Sequence, residues 1–186
     1  MSQGLMDNPD QKLIAVDSRG RQKGTLVSRF EAHVSPGIKH LAIQILLFGD
    51  NNEIILHERP MHKVGGGVLD APTTHVLHGE TPEKAALRCL RDEYGITKRV
   101  ELKVLEGFSY EKDYGDGSCE NEYCLAAFAA YGGPIMPNND HALSIISMPA
   151  KEFLEGLSSE PDKYPIWLHR TVNIVLRDAE GQKPFV

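Results

Sequence analysis

Apolar positions along this chain fall into short runs separated by turn residues, with one long segment of helical spacing. Leu13 to Val16 reads as a short strand, Arg19-Gly20 as a turn, and Gly24 to Val27 as a second extended piece. Leu41 to Phe48 is an apolar run that predicts a buried strand. Gly49-Asp50-Asn51-Asn52 is then a turn, and Glu53 to His57 is the returning hairpin partner. Gly65 to Gly67 opens a loop. Thr81-Pro82 predicts a helix start, with a hydroxyl to cap free N–H groups and a proline at the first position, and Gly95 stops that helix. Further strands are expected at Val100 to Phe108, Glu122 to Ala130 and Leu143 to Ile146, and further helices at Pro149 to Leu157 and Pro165 to Leu176. Strands mixed with a few helices, without regular alternation, predict an α+β layered domain. With no repeat and no linker, residues 1–186 read as a single domain.

Composition narrows the partner. A chain of 186 residues, 41% apolar and 25% charged, can bury a core of its own. Its net charge of -6 leaves no basic surface able to grip nucleic acid or an anionic membrane, so a small molecule is the expected partner. No stretch approaches the roughly 18 apolar residues of a membrane span. Residues 1–12 are polar, lack the order of a secretory signal, and read as a mobile start to the domain. Cys89, Cys119 and Cys124 form neither a zinc pattern nor a C-x-x-C pair, as expected of reduced thiols in the cytoplasm.

Within GETPEKAALRCLRDEYGI, helical spacing turns Ala85, Ala86 and Leu90 toward a core and places Cys89, Asp92 and Glu93 on another face. Alone, this would be a solvated acidic stripe with Arg88 and Arg91 as ion-pair partners. However, Glu80, Arg88, Leu90, Asp92, Glu93, Gly95 and Ile96 fall in register with the Nudix signature, G-x5-E-x7-R-E-U-x-E-E-x-G-U, where U is apolar. The chain therefore resembles the Nudix superfamily. That resemblance implies a mixed β-sheet layered between helices, and helix carboxylates that hold divalent metal against a diphosphate. Two positions depart: Thr74 stands for the first glycine and Cys89 for the glutamate after the arginine. The missing carboxylate weakens a hydrolytic reading.

From about Leu13 to Trp167 the chain is most similar to type 1 isopentenyl diphosphate isomerases, a Nudix branch. Gly24-Thr25-Leu26 with Phe30-Glu31-Ala32-His33 looks like the segment ending in that family's first ligand histidine. His40 opens HLAIQILLF as the second does, and His75 stands five residues before Glu80 as the third does. Glu120-Asn121-Glu122 matches an E-x-E pair. The resemblance implies a metal site of His33, His40, His75, Glu120 and Glu122, and such a set suits manganese, zinc or iron better than calcium. The bland alternative puts the histidines beside a loop and the glutamates on an edge strand, where alternation would still align the two acids.

Arg59 and Lys63 in ILHERPMHKV match basic residues that clamp the substrate diphosphate, and Arg29 is placed with them. Glu93 matches the ligand of a magnesium ion bridging that diphosphate, with Asp92 as an accessory. Trp167 in YPIW matches a tryptophan bordering the hydrocarbon tail, where an aromatic face stabilises a cation. Its alternative role is core packing. Tyr110, twelve residues before Glu122, matches a tyrosine that supplies a phenol.

The resemblance breaks at one catalytic position. The family protonates an alkene and removes a proton from the opposite side, using the E-x-E glutamate, here Glu122, and a cysteine. That cysteine's position is Thr73, and an alkanol is far less acidic than a thiol of pKa near 8.5. A tryptophan-rich stretch is also replaced by Val64-Gly65-Gly66-Gly67-Val68-Leu69, which should widen or reshape the pocket wall. Three readings follow: isomerase-like proton transfer on a small diphosphate ester, hydrolysis of a nucleoside or other diphosphate, or diphosphate binding without catalysis. Metal identity, the substrate's organic part and oligomeric state stay open.

Overall fold

The computed structural model describes residues 8–186. Of the start expected to be mobile, residues 1–7 lie outside the described residues, and Lys12 already opens the first strand.

β1 (Lys12–Val16) and β2 (Gln22–Ser28) form an antiparallel hairpin. Its turn is held by the Asp17 carboxylate, which accepts from the backbone N–H of Arg19 and Arg21 at 2.8 and 3.0 Å. α1 (Arg29–His33) follows, a helix the periodicity did not predict because five residues carry too little pattern. It is fixed by a capping box: Ser28 Oγ accepts from the N–H of Glu31, and the Glu31 carboxylate accepts from the N–H of Ser28.

The centre of the sheet is β3 (His40–Phe48), buried along its whole length. It runs parallel to β8 (Cys119–Ala130) and antiparallel to β4 (Glu53–Glu58) and β6 (Thr73–His75), and it touches β1. β4 also pairs with β5 (Leu69–Asp70) and β9 (Ile145–Pro149), while β7 (Leu102–Asp113) pairs with β8. A strand enclosed on both faces explains the unbroken apolar run.

Alternate residues of β3 feed two cores. Ile43, Ile45 and Leu47 meet Ala85, Ala86, Leu90 and Tyr94 of α2 (Pro82–Tyr94). Leu46 and Phe48 meet Phe153 and Leu157 of α3 (Ala150–Ser159) and Leu168 and Val172 of α4 (Ile166–Val175). The sheet is thus layered between helices, as expected. α2 begins and ends where predicted: Thr81 Oγ1 accepts from the N–H of Lys84, and Gly95 closes the last turn at φ 66°. Leu90→Ala is expected to cost about 2–5 kcal/mol in urea unfolding; a loss well below that range would show that α2 is not packed as described.

Boundaries differ from expectation most clearly where strand pairing sets the register. β9 lies at Ile145–Pro149 rather than from Leu143, because pairing with β4 sets its register and leaves Leu143 half exposed. β7 runs on to Asp113 and β8 starts at Cys119, since their pairing continues through polar residues that carry no burial signal. On α2, Cys89 lines the cleft with Asp92 and Glu93, as its spacing predicts, and is buried there against Ala85 and Ala86.

Candidate metal centre and anion cleft

Strand register assembles the site. His40 and Tyr110 both lie directly opposite Glu122, His75 lies opposite Ala42, and Thr73 opposite Gln44. Directly paired residues project from the same face of a sheet, so four strands deliver their side chains to one spot. His33 joins them from the end of α1.

The three imidazole rings lie with centroids 4.7, 5.0 and 5.0 Å apart. The ligand atoms of His33, His40, His75 and Glu122 all fall within 4.8 Å of one another. Glu120 Oε2 is 3.4 Å from His33 Nε2, so all five residues named from sequence meet. The edge-strand alternative fails, because β8 lies between β3 and β7 and buries both glutamates.

The donors suit a cation. Nδ1 of His33 and of His40 each sits 2.8 Å from a backbone carbonyl, of Arg29 and Ile38 respectively. A carbonyl can only accept, so the proton is placed on Nδ1 and the Nε2 lone pair turns inward, a familiar support for ligand histidines. His40 Nε2 and Glu120 Oε2 are buried without a hydrogen-bond partner. Such orphans are costly unless something else binds them. Burial, reinforced by His40 and His33, holds His75 well below the usual imidazole range. Burial also opposes the charge on Glu120, but His33 and Arg59 outweigh it and keep that carboxyl below its ordinary value. A neutral His75 and an ionised Glu120 are the forms that coordinate a divalent ion, whereas on His33 burial is outweighed by the Glu120 charge, which raises its pKa, so a bound ion would have to displace that proton. His33→Ala, His40→Ala and His75→Ala are each expected to bind metal at least about 100-fold more weakly. Elemental analysis of the purified variants checks this, and unchanged metal content in all three would sink the site.

Beside this cluster lies a cavity of about 230 Å³ lined in part by Arg29, Arg59, Lys63 and Trp167. Arg59 Nε donates to the Val64 carbonyl at 3.0 Å, and Nη1 donates to Asp70 at 3.2 Å. The guanidinium rests 5.3 Å over the Trp167 ring. Lys63 Nζ is 3.4 Å from Glu93 Oε1, and burial lowers its pKa. With side chains only 12% and 9% exposed, Arg59 and Lys63 are not ordinary surface cations. Glu93 is buried facing this cavity, and Asp92, exposed and paired with Arg91, lines its rim. Arg88 is a brace: it forks onto Glu80 at 2.8 and 2.9 Å and donates to the carbonyl of His75.

The remaining candidates are also present. Tyr110 Oη donates to Glu122 Oε2 at 2.6 Å. Thr73 lines the cavity, but its hydroxyl donates to the Ala71 carbonyl at 2.8 Å and accepts from Gln44 Nε2 at 3.0 Å. Trp167 is buried 5.6 Å from the Tyr110 ring. The glycine loop packs closely beside the cavity, which Val64 lines. Gly65 sits at φ 66°, and a Cβ there would meet Tyr114 Oη at 2.5 Å and Trp167 at 3.1 Å.

Sequence reasoning missed four groups here. Asp70 and Gln44 are fully buried and bond to each other at 2.8 Å. His57 Nδ1 lies 3.0 Å from Tyr94 Oη, and burial with the Arg59 and Lys63 charges pushes its pKa down to about 3. His141, from the segment before β9, stands 3.9 Å from Glu93. Of these, only Gln44 carried a signal, as one amide inside an apolar run.

Comparison with known proteins shows the family. The Nudix domain family matches residues 38–170. Among curated proteins, the isopentenyl-diphosphate Delta-isomerase of Haloarcula marismortui is 29% identical over 163 residues, covering 85% of this chain and 84% of that one. The protein of the same name from Ruegeria pomeroyi is 30% identical, covering 76% and 79%. A solved structure from Deinococcus radiodurans superposes with a TM-score of 0.64 at 14% identity, over 88% of this chain and 99% of that one. The MutT protein of Methanosarcina mazei gives 0.58 at 12% identity, over 72% and 89%. These two share the fold. The chain belongs to the Nudix superfamily, and its similarity runs to relatives named isopentenyl-diphosphate Delta-isomerase.

Proposed function

We propose that the protein isomerises a small alkenyl diphosphate, isopentenyl diphosphate or a near relative, by proton transfer at the double bond. The observation that carries this reading is Glu122, whose carboxylate faces the histidine cluster on one side and takes the Tyr110 hydrogen bond on the other.

In this account Arg59, Lys63 and Arg29 receive the diphosphate, and Glu93 holds magnesium against it. Phosphate suits Arg59 because guanidinium N–H groups can grip two oxygens at once. His33, His40, His75, Glu120 and Glu122 hold a manganese, zinc or iron ion, whose charge fixes the protonation state of the groups around it. Glu122, with Tyr110 behind it, delivers a proton to the terminal alkene carbon. The tertiary cation so formed lies near the faces of Trp167 and Tyr110, which stabilise positive charge and keep water away. Loss of a proton from the neighbouring carbon completes the shift. Thr73 is on hand there, but its hydroxyl is a weaker base than a thiolate and already accepts from Gln44, so this step limits the rate.

The relatives' names and the small cavity support this reading. Hydrolysis is the alternative, favoured by Glu93 and Asp92 on α2; the buried, core-packed Cys89 in place of a carboxylate counts against it. A cytoplasmic setting fits three free thiols, and no helix among the described residues is long and apolar enough to cross a membrane. The discriminating assay offers isopentenyl diphosphate and a nucleoside diphosphate sugar side by side. Rearrangement of the first without release of phosphate supports isomerisation, and release of a nucleotide from the second contradicts it.

A further inference from the structure

Asp70 ends β5 with its side chain fully buried, and nothing in the proposed chemistry uses it. Four donors converge on its carboxylate. Gln44 Nε2 and the N–H of Ala71 each reach Oδ1 at 2.8 Å, Arg59 Nη1 reaches Oδ2 at 3.2 Å, and Trp167 Nε1 spans both oxygens at 3.1 and 3.2 Å. These donors come from β3, from the β5–β6 link, from the segment after β4, and from α4. A carboxylate has about four lone-pair sites, so Asp70 is filled by groups that belong to separate parts of the fold.

Two of those groups line the cleft side by side: Arg59, read as the diphosphate clamp, rests over the ring of Trp167, read as bordering the organic part. Gln44 also donates to Thr73, so a third functional position hangs on the same centre. Arg59 spends Nε and Nη1 on the protein and sets Nη2 4.0 Å from Glu120 Oε1, which fixes the guanidinium plane where it lines the cleft.

We propose that Asp70 is the positioning residue of this cleft, locking Arg59, Trp167 and, through Gln44, Thr73 into one arrangement, so that an anion taken by Arg59 is registered at the Trp167 indole. The inference rests on the reading of Arg59 as the diphosphate clamp.

Burial raises the Asp70 carboxyl to about 6, against the downward pull of Arg59. The groups around it are Arg59, the Gln44 amide of β3, the Trp167 indole of α4, Glu93 and Tyr94 of α2, Tyr114 beyond β7 and Cys124 of β8. Above pH 6 the carboxylate is ionised and the lock is closed. Below it the acid is neutral and its charge-assisted bonds to Arg59 and Trp167 weaken.

Trp167 is the chain's one tryptophan, so the emission of the full-length protein reports on this lock directly. Emission is recorded through the range around pH 6, and again on adding inorganic pyrophosphate with magnesium, whose binding is measured separately by calorimetry. The wild-type emission is expected to step near pH 6 and to respond to pyrophosphate. In Asp70→Asn the step and the response disappear, and pyrophosphate binds about tenfold more weakly. Should Asp70→Asn fail to fold, Arg59→Lys serves instead: the pH step persists while the pyrophosphate response is lost. An Asp70→Asn protein that keeps both step and response, or an Arg59→Lys protein that keeps the full response, overturns the proposal. A wild type that binds no pyrophosphate in the calorimeter counts against the clamp reading, whereas absence of the pH step counts against the lock.

Discussion

Glu122→Gln leaves the protein folded and lowers isomerase turnover by at least about 10³-fold. The substitution keeps volume and shape, and the amide oxygen can still accept the hydrogen bond that Tyr110 makes at 2.6 Å. It removes the transferable proton. It also weakens a charged ligand facing the three histidines, so metal content has to be measured on the same sample. A variant that retains metal and loses turnover assigns Glu122 to proton transfer. Turnover within about tenfold of wild type would remove Glu122 from that role.

Thr73→Cys has the opposite sign and a comparable size. A thiol in this position ionises near pH 8.5 unless perturbed, many units below an alkanol, and a well-placed acid or base contributes roughly 10²–10⁴-fold. The change is nearly isosteric at a position that already lines the cavity. We expect isomerisation to rise by about 10²-fold and to acquire sensitivity to thiol alkylation. Neither gain nor sensitivity would mean that removal of the second proton does not pass through this position.

The histidine–glutamate cluster was legible because its residue types and spacings were distinctive, and the fold explains why such distant residues meet. The parallel register of β3 and β8 sets His40 against Glu122, and the antiparallel register of β6 brings in His75. The sheet and α2 were legible from the apolar run of β3 and from Thr81, Pro82 and Gly95. α1 was missed although Ser28 and Glu31 form a capping pair, because a five-residue helix has no periodicity to read. Cys89 shares the cleft-lining face of α2 with Asp92 and Glu93, as read, and its spacing of four from Ala85 and three from Ala86 also explains its burial against them.

Asp70 lay beyond what sequence could show. Nothing in Asp70-Ala71-Pro72 marks a buried carboxylate, since its burial depends on Trp167, 97 positions later, and on Gln44, 26 positions earlier. The cleft therefore looked simpler than it is: Thr73 is tied through Gln44 to the residue that also holds Arg59 and Trp167.

The most direct test of the account is proton NMR of isopentenyl diphosphate in deuterated water with the metal-loaded protein and magnesium. The account predicts dimethylallyl diphosphate as the product, deuterium in the substrate's carbon skeleton, and no released phosphate. Absence of both exchange and product, with elemental analysis showing the histidine site filled, would contradict it.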